Sequence, residues 1–259
     1  MGLDMYLERR PAKCRKSSWN DVMNAIPYEL YSQISSSWRE LGYWRKANHI
    51  HNWFVKNVQG GKDDCGTYPV TAKDLMLLRA ACVKVLMVAL KGTFVPIVYQ
   101  QKKRGYDYRI IRLPNAECKH TKVANWLKHD DNMNFTIDEV PTGNDYKKSL
   151  KPKDRPAKGA RLPSGWVLDA KTAKEIAMYL PTQSGFFFGS VEYTPAYLED
   201  CIHTIEVCDK VLKIEKEDTE RSQRIYDEVC SQALKNGKKK PRKASYFKPT
   251  FIFEYTSSW

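Results

Sequence analysis

Long apolar runs are missing from this chain. The greasiest stretch, Leu75–Leu90, is interrupted by Arg79 and Lys84 and is too short and too charged to span a bilayer. The opening MGLDMYLERR lacks the basic-then-apolar order of a secretory signal. Tyr6 stands where an N-myristoylation motif wants Ser or Thr. These absences set the expectation of no membrane partner and a cytoplasmic protein. Cys-x-x-Cys is also missing, and the cysteine count is an odd seven, which fits free thiols in a reducing compartment better than a disulfide framework. No nucleophile elbow, phosphate-binding Gly-Lys loop or dinucleotide fingerprint occurs. That removes the enzyme classes recognisable by order alone, although a catalytic triad is defined by geometry and not by order. Cys118-Lys-His120 and Cys201-Ile-His203 make the best metal-like pairs. The second falls on a helix, where residues two apart diverge, so no metal and no cofactor is expected.

What the chain does have is positive charge, and it is concentrated. The formal net charge is +13 over 259 residues. Lys147–Arg161 holds seven basic residues against one Asp, and Lys235–Lys248 holds seven with no acid. These two segments account for the whole excess, which leaves the rest of the chain formally neutral. Solvated loops often look like this, but such runs also make salt-sensitive phosphate contacts. Candidate nucleic-acid residues are Lys147, Lys148, Lys151, Lys153 and Arg155 in the first run. In the second they are Lys238, Lys239, Lys240, Arg242 and Lys243.

The second concentration is chemical. Gly42–Val55, GYWRKANHIHNWFV, packs two Trp, two His and two Asn beside Arg45 and Lys46. Read as a helix at about 100° per residue, Tyr43, Ala47, Ile50, Phe54 and Val58 form an inner stripe. His49, Arg45 and Asn52 then project outward, and Trp44, Asn48 and His51 share a flank. That flank offers a stacking face, an amide and a titratable nitrogen. The expected pocket is lined by Trp44, Asn48 and His51, with Arg45 reaching a large ligand. The backbone at Gly185 and Gly189 closes it, and His51 is the candidate general base. The plainer alternative packs Trp44 and His51 under the inserted 94–163 subdomain.

The rest of the pattern predicts an α+β fold. Gly2–Glu8 and Phe247–Tyr255 alternate as strands and are expected to pair in one antiparallel sheet, with helices packed on it. Helix starts fall at Ser18 and Pro27. A helix over Tyr43–Val58 stops at Gly60-Gly61. Thr71-Ala-Lys-Asp74 reads as a capping box for a helix whose buried stripe is Leu75, Leu78, Cys82 and Leu86, ended by Gly92. Phe94–Gln101 and Tyr106–Leu113 form a hairpin about Lys102–Gly105. Val123–Lys128 adds a short helix, and Pro141–Pro163 reads as loop. A short helix ends near Leu180, and Thr194 with Pro195 opens a long one carrying Leu198, Ile202, Ile205, Val211 and Leu212 inward, with a break before Leu234. The domain reading is a core of 1–93 and 164–259 with an inserted β-rich subdomain at 94–163.

Several segments together carry a resemblance. MGLDMYL at 1–7, GYWRKANHIHNWFV at 42–55, QGG at 59–61 with Asp64-Cys65, LPTQSGFFFGS at 180–190 with Tyr193, and the closing Ser257-Ser258-Trp259 resemble a family of small proteins encoded in tailed-phage and prophage genomes. The 94–163 stretch and the Lys235–Lys248 tail depart from that pattern, and both hold the excess charge. The resemblance brings no activity residue by residue. It implies an accessory binding protein in the cytoplasm of a bacterial host, with a nucleotide, nucleic acid or host protein as partner. The competing expectations are a hydrolase or transferase on a phosphorylated substrate, with His51 as base, and a purely structural protein.

Overall fold

A computed structural model describes residues 2–11, 39–101, 108–113, 121–185, 191–237, 239 and 251–258. The helix starts expected at Ser18 and Pro27, and the turn at Lys102–Gly105, lie outside them. The fold is mixed α+β, and every sheet is antiparallel. The chain divides into two compact units. One comprises Met1–Lys46, Trp53–Arg79 and Glu206–Trp259, and the other Ala47–Asn52 and Ala80–Ile205. The whole of 94–163 falls in the second unit, together with the residues that flank it on both sides.

The first unit is built on a four-stranded sheet. Strand β1 (Asp4–Pro11) lies between β2 (Arg39–Arg45) and β9 (Phe251–Ser258), and β3 (Tyr68–Val70) closes the other side of β9. The two terminal strands therefore pair as their alternation predicts, with Met5 opposite Ser257 and Leu7 opposite Tyr255. Period-two alternation sends Leu3, Met5, Leu7, Phe253 and Tyr255 to the buried face. On the opposite face Glu254, itself buried, forms an ion pair with the half-buried Arg10.

Residues 39–45 form a strand, not the start of a helix. Tyr and Trp suit a pleated, half-buried surface, and Met5 and Leu7 offer Trp44 and Gly42 a ladder. A bulge beside Leu7 leaves Leu41 as the extra residue. Lys46 then turns the chain at φ 62°, and helix α1 begins at Asn48, running Asn48–Asn57. The Gly61 N–H reaches back to the Val55 carbonyl at 2.8 Å, with Gly60 and Gly61 both left-handed, so the predicted stop holds.

Helix α2 (Ala72–Ala89) opens on the expected capping box. The Thr71 hydroxyl and N–H donate to Asp74 Oδ2 at 2.6 and 2.9 Å, and the Asp74 N–H donates back to Thr71 Oγ1 at 3.2 Å. Leu75, Leu78, Cys82 and Leu86 are all fully buried.

The second unit holds β4 (Phe94–Gln101) paired to β5 (Tyr108–Arg112) and, on its other side, to β8 (Gly165–Leu168). Leu127–His129 and Phe135–Ile137 form the hairpin β6–β7, so a three-residue 3-10 turn at Val123–Asn125 replaces the predicted short helix. Helix α3 (Gly143–Ser149) stands in the stretch read as loop. Helix α4 (Ala170–Ile176) is capped by Asp169, which also accepts from the Thr93 N–H at 2.9 Å. Burial raises the Asp169 carboxyl, but the hydrogen bonds it accepts outweigh this and hold it below its ordinary value. Helix α5 (Pro195–Lys235) runs 41 residues without the predicted break.

Gly42 supplies the tightest check on the first unit. A Cβ there would collide with Val207 Cγ1 on α5, and a β-branched side chain on a helix has little freedom to move aside. Gly42→Ala is expected to cost about 1–3 kcal/mol by overpacking. Val207→Ala in the same chain should recover much of that loss, measured by urea unfolding of the four-member cycle.

Candidate functional site

The residues expected to line one pocket have different fates. Trp44 is 2% exposed. Its ring packs edge-on to Phe54 at 6.1 Å, and Phe54 stacks on Tyr255 at 3.9 Å and 11°. That is a core aromatic of the first unit, on a strand, so the helical spacing that aligned it with Asn48 and His51 does not apply. Arg45 is exposed, with Nε 3.8 Å from Asp4 Oδ1. Asn48 and His51 are buried in the first turn of α1, within the second unit. Gly185 is half-buried, and Gly189 lies outside the described residues.

The histidine projected outward is also buried. Every residue from Ala47 to His51 is buried, His49 among them, because partners distant in sequence cover the arc that periodicity assigns to solvent. The His49 ring lies 4.3 Å from that of Tyr197 on α5. Its Nε2 has no hydrogen-bond partner and sits 3.8 Å from Asp200 Oδ2, with the His49 side chain 7% and the Asp200 side chain 35% exposed. Tyr197 donates its hydroxyl to the Leu180 carbonyl at 2.6 Å, and the Thr182 N–H donates to the Tyr193 hydroxyl at 3.3 Å. The start of α5 thus holds both His49 and the Leu180–Gly185 segment. Tyr193 enters the sequence analysis only within the resemblance, and Tyr197 and Asp200 do not enter it; the only signal of those two is their i, i+3 spacing at the start of α5.

The proton chemistry of this cluster follows from burial. Burial pushes the His49 imidazolium down to about 3 from 6.5. Burial, with repulsion from Glu199, lifts the Asp200 carboxyl to about 7 from 3.8. Burial and a hydrogen bond to the Cys201 thiol push the Cys82 thiol up, so Cys82 does not behave as a reactive thiolate. None of the described cysteines 65, 82, 201, 208 and 230 is in a disulfide. Among the described residues no three His, Cys, Asp or Glu side chains gather where they could hold a metal ion. Cys118 and His120 lie outside them. No described helix is long and apolar enough to cross a membrane.

The first basic run is not a bare loop. Between β7 and β8 the chain is pinned at several points. The Gly143 N–H donates to the Pro163 carbonyl at 2.7 Å, and Trp166 Nε1 donates to the Pro141 carbonyl at 2.9 Å. Tyr146, fully buried, meets Trp166 edge-on at 5.4 Å. Trp166 continues through Trp126 at 6.0 Å to Phe94 at 5.9 Å. On this footing Lys148, Lys151, Lys153, Arg155, Lys158 and Arg161 are exposed and Lys147 is half-buried. Lys148 reaches Asp145 at 3.2 Å, an exposed pair worth little. Arg155 Nε donates to the Leu150 carbonyl at 3.2 Å, which aims its guanidinium. In the second run Lys239 is exposed, while Lys238, Lys240, Arg242 and Lys243 lie outside the described residues.

No family model matches the chain, and neither a curated protein nor a solved structure matches it.

His49 and Asp200 make opposing contributions to stability. In the unfolded chain between pH 3.8 and 6.5 the histidine holds one proton and the aspartate none, and in the folded chain the aspartate holds it. The proton count is the same, so the pair adds no slope in that window. Asp200→Asn leaves only the depressed histidine. Stability should then fall as pH drops from 6.5 toward 3, by at most about 1.4 kcal/mol per pH unit. His49→Gln leaves only the raised carboxyl, and stability should fall as pH rises from 3.8 through 7, more shallowly because Asp200 is partly solvated. Urea unfolding across that range checks both slopes, and the double variant should be flat again.

Proposed function

We propose that this chain is an accessory binding protein of the phage type, working in a bacterial cytoplasm. In this reading it holds nucleic acid by the phosphate backbone, and its contact surface is the Lys147–Arg161 segment. The observation that supports this most is the anchoring of that segment. Seven cations stand on a stretch tied down at Gly143, Tyr146 and Trp166. Only Asp145 and Asp154 stand among them.

Anchoring matters energetically. A flexible basic loop loses conformational freedom when it binds, which offsets part of the electrostatic gain. A held segment presents its charges at little such cost. The cations are Lys and Arg side chains along exposed chain, and the tethers are backbone and aromatic contacts beneath them. That division favours contact with phosphates over readout of base edges, and it implies weak sequence preference. The remainder of the chain is formally neutral, so the net attraction for a polyanion comes from the two basic runs. Lys238, Lys239, Lys240, Arg242 and Lys243 would add a second contact of the same kind.

Replacing Lys147, Lys148, Lys151, Lys153 and Arg155 together with Gln is expected to leave the circular dichroism and thermal melt unchanged. The slope of log affinity against log salt should become shallower by about two to four for a nucleic-acid probe. An unchanged slope would assign the segment to solubility alone.

A further inference from the structure

Tyr99 lies near the end of β4 with 45% of its surface exposed. Exposure of one aromatic ring says little, but this ring is built into its place. Ser164 Oγ accepts from the Tyr99 N–H at 2.9 Å and donates to the Ile97 carbonyl at 3.3 Å. The Ser164 N–H donates to the same carbonyl at 2.8 Å. Gly165 pairs with Ile97 across the ladder. A Cβ at Gly165 would stand 3.2 Å from Tyr99 Cε2 and 3.3 Å from its hydroxyl oxygen. The missing side chain is what lets the ring lie along the start of β8.

Ser164 and Gly165 are also where the basic segment ends. Arg161, exposed, is four residues before Gly165, so its Cα lies within about 14 Å of the glycine even in a fully extended chain. The basic stretch therefore ends against an exposed aromatic ring that belongs to β4. Cations beside a solvent-facing ring match the two parts of an unpaired nucleotide, the phosphate and the flat face of the base. A duplex keeps its base faces stacked on one another and offers the ring nothing.

We propose that Lys147–Gly165 and Tyr99 together form a site for single-stranded nucleic acid, with the Tyr99 ring stacking on one base while the cations hold the neighbouring phosphates. The proposal rests on the function given above and goes further in naming the ligand's strandedness and the residue that reads it. Stacking is indifferent to base identity, so the site tolerates any sequence.

The test uses the full chain and a fluorescently labelled thymidine oligonucleotide of about 20 nucleotides, longer than one site of this kind. A duplex of equal length is the comparison, and anisotropy is read across a salt series. Wild type should bind the single strand at least about tenfold more tightly than the duplex. Tyr99→Ala and Tyr99→Leu should each weaken single-strand binding by about five- to a hundredfold, leaving duplex binding and the salt slope unchanged. Leu keeps apolar bulk over Gly165, so a loss shared by both variants reports the ring and not the fold. Tyr99→Phe should stay within about twofold of wild type, because stacking needs only the π face. Wild-type affinity in both the Ala and Leu variants would overturn the role of Tyr99. Equal or tighter duplex binding by wild type would overturn the strandedness. Either result leaves the phosphate-binding function standing if the five-Gln variant still loses affinity. If that variant binds as wild type does, the function itself falls.

Discussion

The pairing of β1 with β9 is the constraint on which the first unit depends. It joins residues about 250 positions apart in sequence, and both flanking strands are hydrogen-bonded to one member of that pair. Long-range antiparallel pairing is costly in chain entropy, and here burial of Met5, Leu7, Phe253 and Tyr255 offsets that cost. Tyr255 then stacks with Phe54, so the sheet also fixes the aromatic core under α1. On the other face of the same ladder Arg10 pairs with the buried carboxylate of Glu254.

The second unit depends on a line of aromatic rings. Phe94, Trp126, Trp166 and Tyr146 lie in successive contact. Trp166 is the pivot, because its indole N–H also fastens Pro141. Burying Tyr146 against it turns a Lys- and Pro-rich stretch into an ordered segment. Apolar material beneath thus decides where the charge above is presented. The His49–Asp200 contact is a separate feature of the same unit. Its proximity to the Leu180–Gly185 segment runs through Tyr193 and Tyr197, and its chemistry is that of a buried neutral imidazole facing a partly exposed carboxyl of raised pKa.

Local signals in the sequence proved reliable where one mechanism acted alone. The Thr71–Asp74 box, the α2 stripe, the β4–β5 hairpin strands and the Thr194-Pro195 start of α5 each rest on a few adjacent residues, and each is found. The failures came where two patterns competed. Residues 43–58 satisfy helical periodicity, yet Tyr43 and Trp44 also suit a strand, and β1 supplied the ladder that decided it. His49 was assigned to solvent because periodicity reports one helix and not what covers it, and Tyr197 lies 148 positions away. The sequence of α3 reads as loop because Lys, Pro, Gly and Asn dominate its surroundings. One buried ring, Tyr146, outweighs that composition. The charge imbalance was plain in the sequence, but the anchoring that makes it a surface depends on Trp166 and was not.

Mapping backbone amide perturbations by NMR during titration with a short single-stranded oligonucleotide tests the central claim most directly. The perturbations are predicted to concentrate in residues 143–165 and 97–101, to fade as salt rises, and to leave 48–51 and 180–185 unmoved. Shifts centred on 48–51 and 180–185, with residues 143–165 silent, would contradict it and place recognition at the His49–Asp200 cluster instead.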